Sequence, residues 1–327
     1  MKYSRTRSLR IDIRRQILNQ LLLAALLTLA FLFVPHAAHA QTTLGSMMCD
    51  ISFNLAPFEK LFVGLSYITG AILIGMGLMQ LAFFTDTINA GRQFGVSRPK
   101  GYLIAGAALL ALPAFIRLLV ASLFGNFETA DMGGGLNACV PTVGAGGAAG
   151  TVGLDGLVMN MVMNIKSPMV FMLSVISILI GIFLVAMALI KASKFGQNPK
   201  ASVPNIIANL VIGTILYTVG TSLNTILATV FGTSAIAGPG VVVNAIAFDF
   251  GADTQPFQAA VYAALTFFQL VGMIAFIRGW LILKDAVEGH SQKTVAQGLT
   301  HIFGGVCAVN IYAFLQAMDT TFGTGFL

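Results

Sequence analysis

The chain has 327 residues, of which 57% are hydrophobic and 9% are charged, and its formal net charge at pH 7 is +6. A soluble domain carries about 25% charged residues, so this composition excludes a water-soluble globular protein. The positive charge is concentrated in the first 15 residues, where six basic residues accompany one acidic residue. The remaining charges nearly cancel, so we expect no direct contact with nucleic acid. The apolar composition predicts a polytopic membrane protein.

Residues 1–40 have the pattern of a secretory signal peptide. A basic stretch is followed by an apolar run at 17–34 and by Ala-His-Ala at 38–40, which predicts cleavage after Ala40. The apolar run is also long enough to be an uncleaved first transmembrane helix. Both interpretations place the residues that follow on the outer side of the membrane.

Six further apolar stretches are each long enough to cross a hydrocarbon core of about 30 Å, which takes about 20 helical residues. They lie at about 61–84, 101–124, 168–190, 204–231, 257–283 and 295–322. No stretch alternates with period 2 as a barrel strand does, and a helix satisfies its own backbone hydrogen bonds in lipid. The predicted fold is an all-α polytopic bundle of six transmembrane helices.

Lys and Arg are concentrated in the loops within three predicted helical hairpins, and short basic loops stay in the cytoplasm. Segments 126–160 and 233–256 contain neither residue. The predicted location is the bacterial inner membrane, with both mature termini periplasmic. The three basic hairpin tips either report this topology alone or also bind anionic lipid headgroups; their residues are Arg92, Arg98, Lys100, Lys191, Lys194, Lys200, Lys284 and Lys293.

These spans divide the mature chain into three hairpins joined by linkers. In chain order we predict a periplasmic N-terminal segment at 41–60, hairpin 1 at 61–125, a Gly-rich periplasmic linker at 126–167, hairpin 2 at 168–232, a second periplasmic linker at 233–256 and hairpin 3 at 257–323.

The hairpins share an internal repeat. Each second helix ends in Ser/Thr-x-Phe-Gly, with a glycine 18 residues before the Phe and another glycine 31 or 32 residues earlier. The repeat is parallel, unlike the inverted repeats of many secondary transporters, although chance alignment is an alternative because glycine is frequent in membrane helices. The anchors are Gly75, Gly106, Phe124, Gly125, Gly181, Gly213, Phe231, Gly232, Gly272, Gly304, Phe322 and Gly323.

Two arginines fall within predicted spans, and ionisable residues inside a membrane are candidates for function. Arg117 is about 10 Å from the external end of its span, so it either snorkels to the surface or faces other helices or a water-filled path. Arg278 is close to the cytoplasmic end of its span, and we expect it to snorkel.

Cys49 and Cys139 flank hairpin 1, and both lie outside in the predicted topology. Because the periplasm is oxidising, we predict a disulfide that ties the N-terminal segment to the linker after hairpin 1. Two free thiols are the alternative, since the sequence does not reveal the distance between them.

The sequence shows no motif of a catalytic, cofactor or metal site. No His/Cys/Asp/Glu group has metal-ligand spacing, and neither a Gly-x-Ser-x-Gly elbow nor a Walker-type loop occurs. We therefore expect no enzyme, no cofactor and no bound metal. A channel or transporter for a small solute, lined by polar helix faces around Arg117, is the alternative to a structural role.

Residues 52–125 contain Phe-Glu-Lys-Leu at 58–61, Tyr-Ile-Thr-Gly at 67–70, Gly-Ala-Ala-Leu-Leu at 106–110 and Phe-Gly at 124–125. In these motifs the segment resembles the small inner-membrane IcmC/DotE-like proteins of type IVB (Dot/Icm-type) secretion and the related conjugal-transfer machinery. The similarity covers one hairpin and extends to the others through the internal repeat. It implies a non-catalytic structural component whose partners are membrane lipids, other inner-membrane components and, as a further candidate, copies of itself.

Overall fold

The computed structural model describes residues 44–89, 97–124, 154–195, 202–232, 256–289 and 292–311, with 314, 318 and 321–323. Every regular element in these ranges is a helix, so the predicted all-helical fold is confirmed there. The helices are α1 (Leu44–Leu55), α2 (Pro57–Asn89), α3 (Ser97–Leu110), α4 (Leu112–Phe124), α5 (Leu154–Ser193), α6 (Val203–Tyr217), α7 (Val219–Phe231), α8 (Pro256–Val287) and α9 (Val295–Val309). The predicted signal peptide and most of both linkers lie outside the described residues.

Three stretches are long and apolar enough to cross a membrane as straight helices, namely Leu44–Ala82, Ile165–Ser193 and Thr266–Val287. Two helix pairs pass the same test only together, because α3 and α4 meet at 90° and α6 and α7 at 94°. The described residues therefore offer three candidate spans, or five if each bent pair counts as one. The 15 residues of α9 rise about 22 Å, less than the thickness of a hydrocarbon core.

Helical structure begins earlier than the sequence predicts in two places. The predicted periplasmic segment 41–60 contains α1, which packs on α5 through a face of small residues, Gly45, Ser46, Cys49 and Ser52. The predicted linker 126–167 contains the start of α5, which runs for 40 residues from Leu154. Hydropathy alone does not identify either segment as transmembrane. The first packs against the apolar helix α5, and the second continues into the apolar part of α5.

The helices pair as hairpins that lie in a row. Hairpin 1 consists of α2 and α3, hairpin 2 of α5 and α6, and hairpin 3 of α8 and α9. The long helix α5 is central, since it contacts α1, α3, α6 and α8. No comparably extensive contact joins hairpin 3 to hairpin 1 among the described helices. Helices α4 and α7 follow the bends at the ends of α3 and α6, and we call them the first and second arms.

Backbones approach closely where glycines of the two helices face each other. A Cβ atom built on Gly70 would lie 2.8 Å from the carbonyl oxygen of Gly106. The equivalent distances are 2.6 Å from Gly181 to Gly213 and 2.9 Å from Gly272 to Gly305. Only glycine permits such packing, because any larger residue would force the two helices apart.

Two of the repeat anchors, Gly75 and Gly304, do not lie at the close contacts between helices. A Cβ atom on Gly75 or on Gly304 would meet nothing within 4 Å, and the contacts are made at Gly70 and Gly305 instead. In the third hairpin the contact glycine, Gly305, lies 17 residues before the Phe, one fewer than in the other two hairpins. Counting back 18 residues from Phe322 therefore reaches Gly304.

Two apolar clusters form the core at the junctions between hairpins. One joins Leu112, Ile116 and Val120 of the first arm to Ile178 and Ile182 of α5. The other joins Leu223 and Leu227 of the second arm to residues of hairpin 3, namely Met273, Phe276 and Val306. Both arms therefore pack against other hairpins as well as their own.

Candidate functional site

The second helix of each hairpin is interrupted five residues after its contact glycine. The interruptions are at Ala111, Thr218 and Asn310, and all three have the same hydrogen-bond pattern. Each residue donates its N–H to the carbonyl four residues earlier and accepts from the N–H four residues later, at 2.8–3.2 Å. Thr218 (φ −109°, ψ 45°) and Asn310 (φ −117°, ψ 61°) have similar non-helical backbones.

Local sequence explains the first interruption. Pro113 has no N–H, so the carbonyl of Leu109 four residues earlier lacks its helical donor. Residues near the other two interruptions are poor helix formers, Thr218 and Gly220 in the second and Asn310 in the third. No proline follows either of those sites closely.

Serines on the first helix bond to the carbonyls at two of these interruptions. Ser177 donates its hydroxyl to the carbonyl of Leu216 at 2.8 Å. Ser66 lies 2.7 Å from the carbonyl of Val63 in its own helix and 3.2 Å from that of Leu109 across the hairpin. Both serines precede the contact glycine by four residues, so they occupy equivalent positions. These bonds satisfy backbone groups that the interruptions leave without a helical partner.

A second polar group lies at the tips of hairpins 2 and 3, and we call it the tip clasp. Glu288 at the end of α8 accepts from Lys191 at 2.6 Å, from the amide of Asn209 at 2.8 Å and from Lys284 at 3.2 Å. The adjacent Asp285 accepts from Lys284 at 3.1 Å and from Lys293 at 2.8 Å. The clasp thereby connects α5, α6 and α8.

The electrostatics of the clasp favour an ionised Glu288. Burial alone raises the pKa of this carboxyl group, but hydrogen bonds from Lys191 and Asn209 and the charge of Lys284 outweigh that effect. Together they lower the pKa of Glu288 to about 2 from an ordinary 4.5. The carboxylate is therefore negative at neutral pH, and its charge is compensated within the chain.

The clasp changes the interpretation of the basic hairpin tips. Lys191, Lys284 and Lys293 form ion pairs with acidic residues of the chain, whereas Lys100 and Lys194 are exposed. Arg92 and Lys200 lie outside the described residues, and of Arg98 only the backbone is described. The sequence prediction missed Asp285 and Glu288 because it weighed loop charge only by the number of Lys and Arg.

The charged residues of the apolar helices lie in two different environments. Arg117 and Arg278 are both exposed on the surface of the bundle, which excludes a place for Arg117 among the described helices. Lys166 is instead buried, with 7% of its surface exposed, inside the candidate span Ile165–Ser193. The sequence prediction missed Lys166 because it began this span at residue 168.

The described residues contain one of the two cysteines of the predicted disulfide. Cys49 is disulfide-bonded, with 5% of its surface exposed, and Cys307 is a free thiol. Cys139 lies outside the described residues, so its pairing with Cys49 stays a prediction. No group of three or more His, Cys, Asp or Glu residues that could hold a metal ion occurs within the described ranges.

No protein-family model, no curated protein and no solved structure matches this chain.

Proposed function

We propose that this chain is a non-catalytic structural component of an inner-membrane assembly of the type IV secretion or conjugal-transfer class. The observation that carries the proposal is the use of the internal polar groups to fasten helices. Ser66 and Ser177 each bond to a carbonyl on the other helix of their own hairpin. Glu288 joins hairpin 2 to hairpin 3. The similarity of residues 52–125 to IcmC/DotE-like proteins supplies the class of assembly.

The proposal includes a topology of three parallel hairpin repeats that together cross the membrane six times. Its support is that contact glycines and helix interruptions recur at equivalent positions in every hairpin. In this arrangement the leader is removed, both mature termini are periplasmic and the tips are cytoplasmic. The exposed Lys100 and Lys194 would then bind anionic headgroups, at about 1 kcal/mol each.

An in-frame deletion tests this function. Conjugal DNA transfer or protein delivery to recipient cells is scored after complementation with the intact gene and with a Lys166→Met variant that reaches wild-type level in the membrane. We expect delivery to collapse on deletion and both genes to restore it, because a Lys166→Met chain that accumulates to wild-type level has kept the packing on which a structural role depends.

Unchanged delivery in the deletion strain, together with altered growth or solute uptake, would contradict the proposal. Complementation by the intact gene but not by Lys166→Met would count against a purely structural role, and would favour the second candidate.

That second candidate is a channel or transporter subunit for a small solute. Two observations favour it: helix pairs bent by 90° and 94°, and the buried Lys166 inside a candidate span. Interrupted helices and buried ionisable residues frequently mark substrate paths. Flux in liposomes that is abolished by Lys166→Met and retained in Arg117→Ala, an exposed cation, would support this function.

A further inference from the structure

Neighbouring hairpins meet in the same way at both junctions. Between hairpins 1 and 2, α3 contacts α5 and the first arm contacts α6. Between hairpins 2 and 3, α6 contacts α8 and the second arm contacts α9. Each arm thus leaves its own hairpin and docks on the next one, the first arm on α5 and α6 and the second arm on α9. Such a contact joins two different surfaces and does not close on itself.

Each docked arm presents an apolar stripe with four-residue spacing that ends in Phe. In the first arm Ile116 is 3% exposed and Val120 is 1% exposed, and Phe124 packs against the same cluster. In the second arm Leu223 is 1% exposed and Leu227 is 0% exposed, and Phe231 packs on its cluster. Docking therefore removes this stripe from the surface almost completely.

The chain after Asn310 carries the same stripe. Phe314, Met318 and Phe322 are helical and have the same spacing, and we call this segment the third arm. Met318 is 42% exposed and Phe322 is 66% exposed, unlike their buried or packed counterparts. Hairpin 3 is the last hairpin described, and no further hairpin covers the stripe within the described residues.

The helix face on which an arm docks is buried in hairpins 2 and 3 and exposed in hairpin 1. Thr214 and Val306, each one residue after a contact glycine, are both 0% exposed. Val306 belongs to the last hairpin, so the preceding hairpin and its own α8 must cover it. The equivalent residue in hairpin 1, Ala107, is exposed. Three residues further on, Val309 is 0% exposed, whereas the equivalent Leu110 is 39% exposed.

The first helices show the same asymmetry. In the most apolar part of the spans that contain α5 and α8, 56% and 50% of the residues are buried, and both helices have a preceding hairpin. In the span Leu44–Ala82, which contains α1 and α2 and before which no hairpin is described, the value is 22%. The first helix of hairpin 1 is therefore less covered than those of hairpins 2 and 3, as its Ala107–Leu110 face on α3 also is.

We infer that two copies of this chain associate head to tail, with the third arm of one copy docked on the Ala107–Leu110 face of α3 in the next. The occupant is a second copy because the two free surfaces reproduce the two halves of a junction that already occurs twice within the chain. Repetition of this contact generates a ring or an open filament. The inference stands on the packing of the helices and does not depend on the transport class proposed above.

Cross-linking between two differently tagged copies tests this inference. In a Cys307→Ser background, one copy carries Ala107→Cys and the other carries Met318→Cys, and native membranes are treated with a bismaleimide. We expect a dimer that carries both tags. Parent chains without introduced cysteines show whether Cys49 or Cys139 reacts.

The matched control replaces Ala107→Cys with Ile72→Cys. Ile72, Phe183 and Ile274 occupy the same position in the three hairpins and are 56%, 48% and 41% exposed. This position therefore stays largely exposed at the internal junctions, although the Phe183 ring lies 6.3 Å from that of Phe62 in hairpin 1. We expect about tenfold more dimer from the Ala107 pair, because docking raises the effective concentration of its thiols.

Equal yields from the two pairs, or no dimer with both tags, would overturn the inference. A cross-link that forms only within a doubly substituted chain would also overturn it, since the third arm would then dock on its own α3. If Met318→Cys does not accumulate in the membrane, Phe322→Cys replaces it. A strictly monomeric mass in lipid nanodiscs would overturn the inference independently.

Discussion

Glu288 accepts hydrogen bonds from side chains on three helices, Lys191 on α5, Asn209 on α6 and Lys284 on α8. A carboxylate that is 13% exposed is tolerated only when its lone pairs and charge are compensated. The arrangement provides both, because two ammonium groups and one amide surround the two oxygens. Removal of this one carboxylate would leave Lys191 without this acceptor, and would leave Asn209 bonded only to the carbonyl of Asn205 in its own helix.

We expect Glu288→Gln to lower the free energy of unfolding by about 1–3 kcal/mol, since the amide has no charge and offers the lysines and Asn209 one acceptor oxygen instead of two. Thermal unfolding in detergent at pH 7 measures the effect through Trp280, the single tryptophan, whose ring packs 6.2 Å from that of Phe276. Asp50→Asn at an exposed site is the control, with an expected change within about 0.5 kcal/mol. Equal losses in both variants would contradict the role of the clasp.

The lowered pKa of Glu288 also predicts a pH dependence. A carboxyl group with a folded-state pKa of about 2 and an ordinary value of 4.5 stabilises the fold fully above the ordinary value. This stabilisation is lost as the pH falls from about 4.5 toward 2. We expect the difference in melting temperature between wild type and Glu288→Gln to shrink between pH 6 and pH 3. A constant difference would show that Glu288 is not the titrating group.

Single charged residues show what the sequence can and cannot establish at this scale. Arg117 attracts attention because it interrupts an apolar stretch, yet it lies on the exposed side of an arm. Lys166 lies two residues before a predicted span and is buried, because α5 starts well before its most apolar part. Hydropathy locates the apolar centre of a helix but not the extent to which neighbours cover its ends.

At the scale of elements, the bent helices are the main departure from the sequence prediction. An average of hydropathy over a span such as 101–124 is the same for a straight helix and for two helices at 90°. Pro113 was a visible signal for the first bend. The second bend has only Thr218 and Gly220, which also occur within straight membrane helices, so the sequence could not distinguish them.

We expect Ser177→Ala to cost about 1–2 kcal/mol, because the carbonyl of Leu216 loses its hydroxyl donor at the interruption of α6. Ser122→Ala is the matched control, since the Ser122 hydroxyl is exposed and bonds within its own helix to Leu119. Unfolding of the two variants in the same detergent gives the comparison. If Ser177→Ala is as stable as Ser122→Ala, the bond across the hairpin contributes nothing measurable.

Adjacent glycines in α9 allow a sharper test of helix contact. A Cβ atom on Gly305 would lie 2.6 Å from the backbone nitrogen of Phe276, whereas one on Gly304 would meet nothing within 4 Å. We expect Gly305→Ala to destabilise by about 1–3 kcal/mol through overpacking. Gly304→Ala is expected to be neutral or to stabilise by up to about 1 kcal/mol through helix propensity. Melting temperatures of the two variants measure this, and equal shifts would place the contact elsewhere.

At the scale of the whole molecule, the Cys49 disulfide restrains α1, which packs on α5. We expect the pairing with Cys139 to give a gel shift on reduction that survives Cys307→Ala and disappears in both Cys49→Ala and Cys139→Ala. The loop closed by such a bridge spans hairpin 1, so its loss lowers stability by several kcal/mol in the chain-entropy account. A shift that persists in Cys139→Ala would exclude this pairing.

The order of hairpins could be predicted from the sequence, but their mutual packing could not. Pairs of apolar stretches around basic loops indicate hairpins such as α5 with α6 and α8 with α9. The contacts between them depend on small residues and on the two arms, since lipid leaves little hydrophobic contrast between helix faces. Gly70 and Gly305 are therefore recognisable as contact positions only once the helices are placed side by side.

The right-angled arms have a consequence for the bilayer itself. If α3 and α6 stand along the bilayer normal, α4 and α7 lie in the plane of the bilayer, and both start from the helix ends opposite the hairpin tips. A helix of 13 residues about 20 Å long and 10 Å wide occupies on the order of 200 Å². Both arms insert this area into the same leaflet, with no counterpart in the other. We expect the resulting imbalance of lateral pressure to curve or thin the bilayer around each molecule.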